Sequence, residues 1–136
     1  MGSKETNSRP PIPPQVNRIA TSVLDSAFKV HSELDPGLLE NVYEACLAYD
    51  ILERGLLVQR QVPFPVCYHG ARLDMGFRID LVVEGCLIVE VKAVDALHPV
   101  HTAQVLSYLK LTGNRLGLLI NFNVVHLRDG IRRVAL

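Results

Sequence analysis

At 136 residues the chain has room for one domain built on a single sizeable core. Its hydrophobic share of 49% excludes a disordered protein. The zero formal net charge excludes a broadly basic nucleic-acid coat, though not a local groove. No apolar run approaches the roughly 20 residues that span a bilayer, and no leader of charged, apolar and small residues opens the chain, so it reads as soluble and cytoplasmic. Cys46, Cys67 and Cys86 are widely separated, without a CxxC pair, as expected of reduced, buried thiols.

Residues 1–14 are polar and then proline-rich and read as a disordered lead-in that carries no core, leaving a single domain over 15–136. From Val16 the apolar positions Ile19, Ala20, Val23, Leu24, Ala27 and Phe28 fall on one helical stripe. Asp35-Pro36-Gly37 breaks the chain, and a second helix is expected from Leu38 to Arg54, stopped by Gly55. Gln61 to Tyr68 reads as a strand, edge or interrupted because of Pro63 and Pro65, with a turn at His69-Gly70. Phe77–Val83 and Leu87–Lys92 read as strands joined around Glu84-Gly85. A helix from Pro99 to Leu111, a buried strand from Leu116 to Ile120, and a hairpin of Val124–Arg128 with Ile131–Val134, turning at Asp129-Gly130, complete the order. Helices alternating with strands in this way predict an α/β sandwich on a mixed sheet.

Asp80, followed after nine residues by Glu90-Val91-Lys92, carries the chemistry. Glu90 and Lys92 are two apart on a strand and leave the same face. On so apolar a strand they are costly unless paired or bound to something. Asp80 joins them only if it lies opposite Glu90, which requires a three-residue loop Glu84-Gly85-Cys86 or a bulge near Asp80. Two converging carboxylates suit Mg²⁺ (or Mn²⁺), with Lys92 holding the attacking water and offsetting transition-state charge. A structural salt bridge between Asp80 and Lys92 beside a solvated Glu90 explains the same spacing. His101, Gln104 and Tyr108 form a polar stripe on the last helix, either a solvent face or a set that orients water or phosphate. Glu40 and Tyr43 share a stripe on the second helix, where Glu40 also suits the helix N-terminus. Tyr43, with Arg128, Arg132 and Arg133, is an expected nucleic-acid contact, although arginines on an edge strand also serve to block aggregation.

The segment Gly37-Leu38-Leu39-Glu40-Asn41-Val42-Tyr43 resembles the motif that names the GxxExxY proteins of the PD-(D/E)XK nuclease superfamily. The likeness continues through Gln61-Val62-Pro63, Tyr68-His69-Gly70, Asp80-Leu81-Val82-Val83, Glu90-Val91-Lys92, Ala103-Gln104, Ser107-Tyr108-Leu109-Lys110 and Gly117-Leu118-Leu119-Ile120-Asn121-Phe122-Asn123 to Arg132-Arg133, covering about Val16 to Val134. It implies an α-β-β-β-α-β core, here with an extra N-terminal helix and a C-terminal hairpin. Asp80 and Glu90 would be metal ligands with the Val91 carbonyl, Lys92 the catalytic lysine, Glu40 the acidic residue of the first motif, and Gln104 and Tyr108 a Gln-x-x-x-Tyr element. A metal-dependent nuclease hydrolysing phosphodiester bonds is therefore expected, with DNA favoured over RNA as its substrate. The alternative is a nucleic-acid- or protein-binding module that keeps the fold without efficient turnover. So small a footprint leaves room for a homodimer or a partner subunit.

Overall fold

The protein is described by a computed structural model covering residues 9–74 and 78–136. Helix α1 (Pro14–Leu34) opens with Pro14, whose missing N–H costs nothing at a helix start, and buries Ile19, Val23, Ala27 and Val30. Helix α2 (Glu40–Glu53) ends where expected: Gly55 N–H donates to the Leu52 carbonyl and Leu56 N–H to that of Ile51, the paired bonds of a Schellman cap. The strands are β1 (Val58–Pro63), β2 (Val66–Tyr68), β3 (Ala71–Leu73), β4 (Arg78–Val83), β5 (Leu87–Lys92), β6 (Leu116–Asn121) and β7 (Ile131–Ala135), with helix α3 (Pro99–Thr112) between β5 and β6.

Five strands form one mixed sheet in the order β1-β4-β5-β6-β7, parallel only between β5 and β6, the pair joined through α3. One face packs Leu81, Val83, Val89, Val91, Leu118 and Ile120 against α1 and α2. The other packs Ile88 and Leu119 against Val105, Tyr108 and Leu109 of α3. Burial on both faces explains why β5 and β6 are largely apolar rather than alternating, with Glu90, Lys92 and Asn121 as the polar exceptions. The order α2-β1-β4-β5-α3-β6 is the expected α-β-β-β-α-β core. No helix among the described residues is long and apolar enough to cross a membrane.

The expected strand Gln61–Tyr68 is interrupted: the chain leaves the main sheet after Pro63, and β2 pairs only with β3 across a turn at His69-Gly70. Phe77, the expected start of β4, lies outside the described residues. The C-terminal hairpin is also differently made. Val124–Arg128 forms no strand; β6 itself is the antiparallel partner of β7, and residues Leu127–Gly130 make a 3-10 turn between them. His31 Nε2 lies 2.7 Å from the Val124 carbonyl and holds this connection against α1. The proline-rich segment contributes more than expected, since Ile12 packs against the core and Pro10 accepts a bond from Arg115. Of the cysteines, which are all free, Cys67 is exposed rather than buried.

Candidate active site

The register between β4 and β5 decides whether Asp80 and Glu90 meet. Val83 faces Leu87 and Leu81 faces Val89, so Glu84, Gly85 and Cys86 form the three-residue loop that this geometry requires. Glu84 and Gly85 both take positive φ (52° and 66°) and Cys86 N–H closes the turn on the Val83 carbonyl. The backbone ladder then stops, and the carboxylates take over its bonds. Asp80 N–H donates to Glu90 Oε2 at 2.8 Å, and Val91 N–H donates to Asp80 Oδ2 at 2.9 Å. Opposite Asp80, Gln61 has φ 51°. The strand also changes face there: Leu81 belongs to the α1–α2 core and Ile79 to the α3 core. The Asp80 carboxylate thus lies in the plane of the sheet, between the helical layers.

Each carboxylate has one oxygen committed to a backbone N–H. Asp80 Oδ1 meets Gln61 Nε2 only at 3.4 Å, and Glu90 Oε1 has no hydrogen-bond partner among the described residues. An extended residue directs its N–H and C=O to the same strand edge, so the Val91 carbonyl also points to the side of Asp80, which accepts the Val91 N–H. Glu90 is 3% exposed, and burial together with the Asp80 charge pushes its carboxyl up to about 8. Burial likewise raises Asp80, against the pull of Val91 N–H. Such a pair is short of positive charge. The Asp80–Lys92 salt bridge weighed from the sequence does not form: among the described residues Lys92 has no ion-pair partner within 4.0 Å.

The helices complete the surroundings. Tyr108 of α3 is buried, and burial with the charges of Glu90 and Asp80 pushes its hydroxyl up to about 12, so it stays protonated. Gln104, one turn earlier, is exposed. His101 is partly buried and its Nδ1 accepts from His98 N–H at 3.0 Å, which leaves the proton of the neutral ring on Nε2. Burial, then the Lys92 charge, lowers its pKa. Glu40 opens α2 close enough to add to the negative field at both Asp80 and Glu90.

Tyr43 is a correction. Its side chain is fully buried and stacks on Phe122 with ring centroids 4.8 Å apart. Its hydroxyl accepts from Leu38 N–H at 3.1 Å and donates to the Asp35 carbonyl at 2.5 Å. It cannot reach a nucleic acid; it clamps the turn that presents Glu40. Glu44 went unread in the sequence although it follows Glu40 by one helical turn among apolar residues. It is 4% exposed, accepts from Gln61 Nε2 at 2.8 and 3.0 Å, pairs with Arg60 at 3.4 Å, and raises Asp80. Asn121 is a second such residue. Its amide bonds the N–H and C=O of Val94, each at 3.0 Å, which fixes the chain leaving β5 after Lys92.

The arginines divide. Arg128 is exposed on the 3-10 turn. On β7, Arg132 lies in register with Leu119, and Leu119 with Glu90, so Arg132 shares the face of Glu90 two strands away. Arg133 points to the opposite face, where Nη2 donates to Asn17 Oδ1 at 2.6 Å.

Among the described residues no group of three or more His, Cys, Asp or Glu forms a metal cage. Two carboxylates and a carbonyl, all hard oxygen donors, nevertheless fit Mg²⁺, which keeps much of its water and is held by one or two carboxylates plus substrate phosphate. No curated protein and no solved structure matches the chain. A family model does, the PD-(D/E)XK nuclease superfamily, over residues 17–134. With that span taking in Glu40, Asp80, Glu90, Lys92 and Tyr108, the chain belongs to the PD-(D/E)XK nuclease superfamily.

Proposed function

We propose that the protein is a metal-dependent nuclease that hydrolyses phosphodiester bonds, with DNA preferred to RNA. The observation that carries this is the Asp80–Glu90 pair, two largely buried carboxylates brought together with each fixed by one backbone N–H, Glu90 on the strand that also carries Lys92. A buried acidic pair without a cation is unfavourable, and the arrangement holds donors ready where a divalent ion would relieve it. Asp80, Glu90 and the Val91 carbonyl would hold Mg²⁺ or Mn²⁺, which supplies Lewis-acid stabilisation of charge on the phosphoryl oxygens.

The chain's own groups do the rest. Lys92 orients the attacking water and offsets negative charge as the new P–O bond forms and the ester P–O bond breaks. We assign Glu40, whose charge is felt at both Asp80 and Glu90, to accept a proton from that water, and protonated Tyr108 and His101 Nε2–H to serve phosphate or the departing oxygen. Gln104, exposed one turn from Tyr108, contacts the incoming strand, and Arg128 and Arg132 hold its backbone. Membership of the GxxExxY group is part of the same proposal. Its motif has a physical sense here, because Tyr43 anchors the turn from Asp35 to Leu38 and so places Glu40.

The test is incubation with labelled single-stranded, double-stranded and branched DNA and with RNA, in Mg²⁺, Mn²⁺ or EDTA. Asp80→Ala and Lys92→Ala run alongside, with folding verified by circular dichroism. Metal-dependent cleavage of DNA that disappears in both variants is expected. No cleavage of any substrate, with no heat of Mg²⁺ or Mn²⁺ binding, would instead identify a binding module.

A further inference from the structure

Neighbouring residues of a strand send their side chains to opposite faces, yet Arg60 and Gln61 of β1 both end on Glu44 of α2. Arg60 Nη2 lies 3.4 Å from Glu44 Oε2, and Gln61 Nε2 donates to Oε1 and Oε2 at 2.8 and 3.0 Å. The backbone makes this possible, because Gln61 takes φ 51°, a left-handed conformation that favours glycine. No residue is inserted there: Arg60 pairs with Leu81 and Val62 with Ile79, in one register on both sides. The turn of the backbone therefore serves the side chain, which a glycine in the same place would lack.

We infer that Gln61 is a positioning residue for Asp80 and is itself held by Glu44, so that α2 fixes the orientation of the Asp80 carboxylate through the amide. The inference rests on the reading of Asp80 as a metal ligand. Gln61 Nε2 lies 3.4 Å from Asp80 Oδ1. Carboxylate oxygens accept, so the amide must present its nitrogen to both acids, and that nitrogen carries two hydrogens to give. Its shorter contacts are those to Glu44, which is 4% exposed, so the amide is anchored from the buried side and reaches Asp80 from there. Asp80 Oδ2 accepts from Val91 N–H, and with a donor on each oxygen the carboxylate is held against rotation. Hydrogen bonds of this kind orient ligating carboxylates, and losing one costs roughly 10- to 100-fold in metal affinity.

The test is Mn²⁺ binding to the full chain without nucleic acid, read from the electron paramagnetic resonance signal of the free ion. Gln61→Gly suits the left-handed backbone and, at an exposed position, opens no core cavity, so it removes the amide alone. It should weaken Mn²⁺ binding roughly tenfold or more with an unchanged circular dichroism spectrum. Gln61→Leu, which keeps the bulk without the donor, should lose the same, and Gln59→Ala should lose nothing. Glu44→Ala should weaken binding in the wild type and add little in the Gln61→Gly chain, as residues acting in series do. Wild-type affinity in both Gln61 variants overturns the inference and leaves the nuclease reading standing. Equal losses from Glu44→Ala in the two backgrounds overturn the link through Gln61, since Glu44 would then act by its charge alone. A wild-type chain that binds no Mn²⁺ overturns the inference together with the metal site it serves.

Discussion

At the scale of single residues, Glu90 shows the cost of the site. Its carboxyl is pushed from near 4.5 to about 8 by burial and by Asp80. The folded chain therefore keeps a proton that the unfolded chain gives up. This contribution to stability is fully present below pH 4.5 and is lost as pH rises through about 8. Glu90→Gln, which can still accept from Asp80 N–H, should weaken the dependence, leaving the part that comes from Asp80, also raised by burial. At pH 8 and without metal it should stabilise by on the order of 1–2 kcal/mol, a gain of several degrees in Tm, while abolishing cleavage. Thermal unfolding of both proteins from pH 5 to pH 9 checks this; parallel curves would mean that Glu90 ionises normally. A divalent ion must displace the same proton, so Mg²⁺ affinity in the wild type should rise with pH and level off above about 8, as read by calorimetry in two buffers of different ionisation heat.

At the scale of elements, the sequence is most legible where periodicity and chemistry coincide. Glu90 and Lys92 share a face by strand parity, and the need to bring Asp80 opposite Glu90 was enough to require the loop at Glu84-Gly85-Cys86, which the register bears out. Asp129-Gly130 misled because a pair typical of hairpin turns serves another purpose. Gly130 does not take positive φ; a Cβ there would lie 2.2 Å from the Asn121 carbonyl oxygen, so the glycine permits close approach of the 3-10 turn to β6. Glu44 and the burial of Tyr43 were not legible either, since both depend on how α2 rolls against the sheet, and an apolar helix gives no stripe to fix that angle. The clamp made by Tyr43 has a direct consequence. Tyr43→Phe keeps the stacking on Phe122 but strands the Leu38 N–H and the Asp35 carbonyl. A loss of about 1–3 kcal/mol is expected by urea unfolding, along with reduced cleavage as Glu40 loses its fixed position. Wild-type stability in this variant would show that the turn is held by other means.

At the scale of the whole molecule, zero net charge forces a choice about how a polyanion is held. The composition carries no overall basic excess, and the sequence offers Arg132 and Arg133 side by side as if they were one patch. The sheet separates them, because neighbouring residues of a strand take opposite faces. Arg132 lies across β6 from Glu90, on the face where a phosphate would arrive. Arg133 is turned to α1 and engaged by Asn17. Affinity for nucleic acid should accordingly rest on few phosphate contacts and fall only gently with salt. Arg132→Ala should weaken duplex binding and flatten the slope of log K against log salt by about one unit, whereas Arg133→Ala should leave that slope unchanged. Mg²⁺ belongs in the measurement, using the Lys92→Ala protein to prevent turnover, because the uncompensated acidic pair repels the phosphate that the arginine attracts. Binding should therefore be tighter with Mg²⁺ than with EDTA, although added salt normally weakens such complexes. Equal losses in the two arginine variants would mean that the strand is held along the edge of β7 rather than across the face that carries Glu90.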